Sequence, residues 1–131
     1  MVVPIVIARL TGSDAVTAVV QDRIYPVHIP QGVERKPCIA VWIGGNDPSN
    51  TNYGKSPVDN MNFMIHVDGS TYAQLDQLCS DIRDVMEDYS GTRVQKMRYV
   101  TENDNEYDTD NNLFSRVMTF NVRIQRNAGN G

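Results

Sequence analysis

Residues 61–89 read MNFMIHVDGSTYAQLDQLCSDIRDVMEDY, and within them the period of the apolar side chains changes. Phe63, Ile65 and Val67 alternate with Asn62, Met64 and His66, which predicts a strand over Met61–Asp68 with one apolar face. Then Tyr72, Leu75, Leu78, Ile82, Val85 and Tyr89 recur at spacings of three and four, while Asp76, Gln77, Asp81, Asp84 and Asp88 take the other side. That pattern predicts an amphipathic helix over Thr71–Tyr89, capped by Ser70 or Thr71 and stopped by Gly91. Each element has one face to hide, so the Leu75, Leu78, Ile82 and Val85 face is expected to lie on a sheet containing Phe63, Ile65, Phe120 and Val122.

Beyond the helix, Thr92–Thr101 and Leu113–Gln125 read as an antiparallel pair joined by a long polar tip. Before it, Cys38–Gly44 reads as a strand apolar on both faces, which predicts a central place in a sheet covered on both sides. Residues 46–60 contain Pro48, Gly54 and Pro57 among polar neighbours and read as a long loop. Arg23-Ile24-Tyr25-Pro26 is a short extended piece, followed by the turn-rich Ile29-Pro30-Gln31-Gly32. The Val and Ile residues of Val2–Thr11 suit strand and helix alike. Pro4 fits a first helical turn, and Gly12 followed by Ser13 reads as a stop and a new cap, so two short helices are expected, Val2–Thr11 and Asp14–Val20. The expected fold is α+β: two short N-terminal helices and a mainly antiparallel sheet of about four to five strands, with one long helix packed on it. Residues 1–126 read as a single domain and 127–131 as a flexible C-terminal tail.

The chain has 131 residues, enough for a sizeable core without disulfide or metal staples. No apolar run reaches the roughly 18 residues of a membrane span. Met1–Leu10 is apolar but has no basic segment or small-residue cleavage site, which argues against a signal peptide. Cys38 and Cys79 form no ligand pair and read as buried, reduced thiols of a protein made in the cytoplasm. The formal charge is −4, yet Glu102, Asp104, Glu106, Asp108 and Asp110 alone account for more than that and leave the rest of the chain at +1. Such a balance is poorly suited to wrapping nucleic acid by neutralising phosphates.

Catalytic chemistry finds little support. His28 lies in a Pro-bounded loop, His66 on the polar face of a strand, and neither cysteine has a charged helix start to make it a thiolate. Gly44-Gly45 leads into Asn46-Asp47-Pro48 and not into a helix, so it is no phosphate cradle. The acidic strip has acids at every second position, as calcium loops do, but lacks their turn glycine and terminal glutamate. It reads instead as a solvated hairpin tip. Arg93, Lys96, Arg98, Arg116, Arg123 and Arg126 differ in strand parity, are not expected to share one face, and read as sheet-surface charges that pair with the helix acids. Trp42 and Tyr25 read as core or subunit-contact residues, since no basic-aromatic motif of single-strand binders accompanies them. No cofactor is expected.

Asp22-Arg23-Ile24-Tyr25-Pro26, Ile29-Pro30-Gln31-Gly32 and Lys36-Pro37-Cys38-Ile39-Ala40-Val41 together resemble the tail-completion, or tail-terminator, proteins of long-tailed bacteriophages. The element order follows the same pattern from Val2 to about Arg126. Cys38 stands where an aromatic often follows the proline, and His66-Val67-Asp68 where a tryptophan often ends the second main strand. The resemblance implies a virion structural protein of the tail or neck, assembled in the host cytoplasm, and not an enzyme. It implies a hexameric ring that caps the tail tube, ends its polymerisation and offers the head-side connector a joining surface, with double-stranded DNA passing through the lumen. The expected partners are therefore further copies of the chain, the tail tube protein and the connector, with no membrane.

Two polar excursions are the candidate contact regions, because long polar segments in small domains are usually functional or disordered. Asp47, Asn50, Tyr53 and Lys55 are the expected subunit or partner contacts. Glu102, Asp104, Glu106, Asp108 and Asp110 are expected to face the lumen or dock a partner. Another virion joining component of related fold, and a small ligand-binding α/β module, are the readings that compete with the ring.

Overall fold

The structure, a computed structural model, describes residues 2–29, 37–51, 54–91, 94–110 and 112–125. The Pro30-Gln31-Gly32 turn, Tyr53, Arg93, Arg126 and the 127–131 tail lie outside the described residues. The elements run α1 (Val2–Thr11), α2 (Asp14–Val20), β1 (Ile24–Pro26), β2 (Cys38–Thr51), β3 (Gly54–Gly69), α3 (Tyr72–Met86), β4 (Val94–Asp104) and β5 (Phe114–Gln125). This is the α+β order expected from the sequence.

Local chemistry sets the helix ends. Ser13 caps α2 by accepting from the Val16 N–H. Thr71 caps α3 by accepting from the Gln74 N–H at 3.1 Å, and the Gln74 side chain reaches back to accept from the Ser70 N–H. Gly91 is not the stop. The helix ends at Met86, and Asp88, at φ 64°, takes the left-handed turn and donates its N–H to Met97 O on β4. Asp tolerates that conformation better than most residues, so the chain turns before it reaches the glycine.

The sheet has five strands in the order β1-β2-β3-β5-β4, antiparallel except for the parallel β1–β2 pair. Ile39 and Val41 on β2, Phe63, Ile65 and Val67 on β3, and Met118, Phe120, Val122 and Ile124 on β5 point to one face. There they join Val2, Val6 and Leu10 of α1, Val16 and Val20 of α2, and Leu75, Leu78, Cys79, Ile82 and Met86 of α3 in one buried cluster. Phe63 stacks on Phe120, its register partner, with ring centroids 5.3 Å apart. Val85 is only half-buried and Tyr72 is 48% exposed, so both leave the buried stripe the spacing assigned them.

Three expectations need correction. β2 is interior, and Cys38–Val41 are buried on both faces as expected. Among the described residues, however, the second face is covered by the 27–29 segment beside Ala40 and not by helices, and the cover gives out from Trp42 onward. Trp42 on the second face is half-buried, and Ile43, past the end of the helix layer, is 42% exposed. The described part of 46–60 is not a loop: Asn46 pairs with Met61, Asp47 with Asn60, Asn50 with Lys55 and Thr51 with Gly54. The polar composition misleads because ladder hydrogen bonds use backbone groups only. Pro48 sits at the register shift before Asn50, and Pro57 lies beyond the end of the β3–β5 ladder at Val58, positions where a missing N–H costs little. Finally, β4 runs on through Glu102 to Asp104, so two of the five acids belong to a strand and not to the tip.

Candidate functional site

Two hairpins reach out of the helix-covered sheet. One is the β2–β3 arm, which places Asp47 and Asn50 on β2 and Lys55 on β3. Past Trp42 the arm has no β1 neighbour, because β1 ends where Pro26 pairs with Val41. The other is the β4–β5 hairpin, whose ladder closes at Asp104 opposite Arg116. An isolated bridge between Asp108 and Leu113 then holds the tip, and Asp108 Oδ1 accepts from the Asp110 N–H.

The acidic strip is split by this geometry. Glu106 and Asp110 are exposed and Asp108 half-exposed on the tip. Glu102 and Asp104 lie on β4 and turn to Arg116, which shares the face of Met118 and Phe120 and is 6% exposed. The Arg116 guanidinium donates to Asp104 Oδ1, to Glu102 Oε2 at 2.7 Å, to Asp76 Oδ1 at 3.0 Å and to the Tyr72 hydroxyl at 2.9 Å. Tyr72 in turn donates to Asp104 Oδ2 at 2.7 Å, and Tyr99 donates to Glu102 Oε1 at 2.6 Å. A guanidinium presents its donors in a rigid fork, and this one spans α3, β4 and β5.

Electrostatics follow from that arrangement. Burial alone would lower the Arg116 pKa, but hydrogen bonds to Asp104 and Asp76 outweigh it and hold the guanidinium well above its usual range. The hydrogen bond from Arg116, and then that from Tyr72, keeps Asp104 below its ordinary 3.8. Tyr99 is pushed up to about 12, by burial first and its bond to Glu102 second. The cluster is a clasp. It fixes the start of α3 and the base of the tip to each other. Phe114 extends it, with Tyr72 edge-on at 5.8 Å and Tyr107 at 4.5 Å.

Arg116, expected as a sheet-surface charge, does pair with the helix acid Asp76, but its burial and its place at the centre of the cluster went unread. It stands on the same parity as Phe114, Met118, Phe120, Val122 and Ile124, and a charge on an apolar parity is the signal that could have found it. As expected, the described basic strand residues do not all share one face: Arg116 lies on the helix-covered side and the others do not. A bulge between Val94 and Lys96 brings Lys96 opposite Arg123 and Arg98 opposite Asn121, on the face away from the helices.

Elsewhere the chemistry is sparse. His66 Nε2 lies 2.6 Å from Asp68 Oδ1 beside Trp42, Ala40 and the 27–29 segment, in a depression of about 290 Å³. Cys38 stands opposite Asp68 but is closed off from solvent. Cys79 is a buried free thiol, pushed up to about 12 by desolvation, and so is held protonated. Among the described residues no three His, Cys, Asp or Glu side chains are grouped to hold a metal ion. No single helix is long and apolar enough to cross a membrane.

The sequence profile of the family described as "Tail completion protein gp17" matches residues 5–125. No curated protein sequence matches the chain. Among solved structures, a chain from the "Virion of native gene transfer agent (GTA) particle" is similar in fold, with a TM-score of 0.72 at 15% identity over 92% of this chain and 91% of that one.

Proposed function

The chain belongs to the tail completion protein gp17 family, structural and non-enzymatic components of phage-like virion tails, and from that premise we propose that it works as a ring. In this reading, copies of the chain, six of them, close on the end of the tail tube and stop its polymerisation. They present their other side to the head-side connector, and DNA passes through the lumen. The observation that carries the reading is the family match over nearly the whole chain. The likeness in fold to a chain of a gene transfer agent virion agrees with it.

The two projecting hairpins are the parts suited to contact. A two-stranded arm with one ladder edge uncovered among the described residues offers backbone donors and acceptors to a neighbour, so Asp47, Asn50, Tyr53 and Lys55 are assigned to subunit or tube contact. The acidic tip has the charge to keep phosphates at a distance or to meet a basic patch on the connector. Within it the task falls to Glu106, Asp108 and Asp110. Glu102 and Asp104 set the tip's position through Arg116.

A polymerisation assay tests the reading. Purified chain added to growing tail tubes should halt their lengthening at substoichiometric ratios, since only tube ends are capped. Tubes that lengthen unchanged would rule out termination.

A further inference from the structure

The sheet face away from the helices has the composition of a protein interface. Trp42, Met64 and Val117 are half-buried there, Thr119 stands opposite Met64, His66 opposite Val117 and Asn121 opposite Asn62, and Arg98 and Arg123 are exposed at its β4–β5 side. Met64 crosses β2 over Gly44, where its sulfur leaves no room for a Cβ, so Trp42 and Met64 form a short apolar strip at the β2–β3 side. Interface centres are enriched in Trp, Met and Arg and depleted in acids, and no exposed carboxylate lies on this face among the described side chains. At its β2 end the strip meets a groove of about 500 Å³ lined by Val3, Val27, Trp42 and Ile43. Val27 is 63% exposed and held at φ 69°, a conformation costly for a β-branched residue and characteristic of sites where strain serves contact.

The opposite side of the molecule is acidic. Leu75, Leu78, Ile82 and Met86 turn α3 so that Asp84 faces directly outward with Asp81 beside it, and neither makes an ion pair with a basic side chain among those described. The nearby Asp88 and Glu87 are occupied within the chain, by Lys96 at 3.3 Å and Arg83 at 3.0 Å.

We infer that the part of this sheet face from Trp42 to Arg98 and Arg123, open among the described residues, seats the outward face of α3 from a second copy, with Arg98 and Arg123 meeting Asp81 and Asp84. The inference rests on the ring reading and specifies its interface. Complementary patches on opposite sides of one molecule join head to tail, and a head-to-tail contact closes into a ring when its rotation allows. Duplex DNA is the weaker occupant. Two free cations among the described side chains of this face would release few counterions, and the chain as a whole carries −4.

Charge reversal tests it. Sedimentation of the purified chain, and of its Arg98→Glu/Arg123→Glu and Asp81→Lys/Asp84→Lys variants, reads assembly directly. Arg98, Arg123 and Asp84 are exposed and Asp81 is half-buried, accepting from Gln77 Nε2, and circular dichroism checks that each variant is folded. Each variant alone should associate at least about tenfold more weakly, and an equimolar mixture should regain assembly because the reversed faces match again. Assembly that persists in both variants overturns the face assignment while leaving the ring intact. A wild-type chain that stays monomeric both alone and on tail tubes overturns the ring and this inference together. Loss of duplex binding by Arg98→Glu/Arg123→Glu with unchanged assembly assigns the face to nucleic acid and also overturns it.

Discussion

Arg116 on β5 stands directly opposite Asp104 on β4 and donates to its carboxylate on the helix-covered face of the sheet. A cross-strand ion pair in that place has one guanidinium serving three carboxylates and a tyrosine hydroxyl. The hairpin whose tip is assigned to contact is thereby tied to the helix assigned to the neighbouring copy.

Removing the centre of that cluster should cost more than removing any edge of it. Arg116→Met leaves the carboxylates facing one another without their shared partner. Losing one side of a buried pair costs roughly 3 to 5 kcal/mol, but Asp76 is 67% exposed and Asp104 43%, so water offsets part of it. The expected loss is about 2 to 3 kcal/mol by denaturant unfolding. A loss within about 0.5 kcal/mol, typical of surface substitutions, would show that the clasp adds no stability.

Acid should weaken the fold through the same pair. Asp104 has a lower pKa in the folded chain than its ordinary 3.8. Its ionised form therefore stabilises the fold at any pH above the unfolded value, and that contribution fades as pH falls through the folded one. Arg116 stays charged throughout. Stability measured below about pH 4 should fall less steeply in Asp104→Asn than in the parent, and parallel curves would exclude the linkage.

The tip and the clasp should separate cleanly by mutation. Glu106→Gln, Asp108→Asn and Asp110→Asn together should leave the melting temperature within about 2 °C while impairing virion joining or DNA passage. Adding Glu102→Gln and Asp104→Asn should lower it further, because those two hold Arg116. Calcium should not raise the melting temperature of the parent. A rise of several degrees that chelation reverses would show a metal site binding the native state.

The core offers a plainer measurement. Leu78 is 1% exposed within the cluster that joins α3 to the sheet. Leu78→Ala should cost about 2 to 5 kcal/mol, and a loss below about 0.5 kcal/mol would place the side chain outside the core.

Legibility in the sequence tracked the range of the interactions. The strand ending at Asp68 and the helix after Thr71 could be read because period and capping are local properties of neighbouring residues. The short N-terminal helices were legible for the same reason, through Pro4, Gly12 and Ser13. The β2–β3 arm was misread because Pro48, Gly54 and Pro57 signal turns, while the ladder that overrides them is made by backbone groups that carry no sequence signature. The clasp was hidden by distance along the chain: Arg116 finds its partners 12, 14, 40 and 44 positions away. Its odd place among apolar neighbours was visible, but only the register of β4 against β5 says which acids answer it. The bulge at Gln95 likewise shifts Lys96 and Arg98 to the face of Arg123, which strict alternation does not foresee.

In the proposed reading this chain closes as a ring on the end of a tail tube. Negative-stain imaging of tubes mixed with the purified protein tests it most directly. The account predicts a sixfold density at one end of each tube, absent without the added chain. Bare tube ends beside free monomers, or binding along the tube wall, would contradict it.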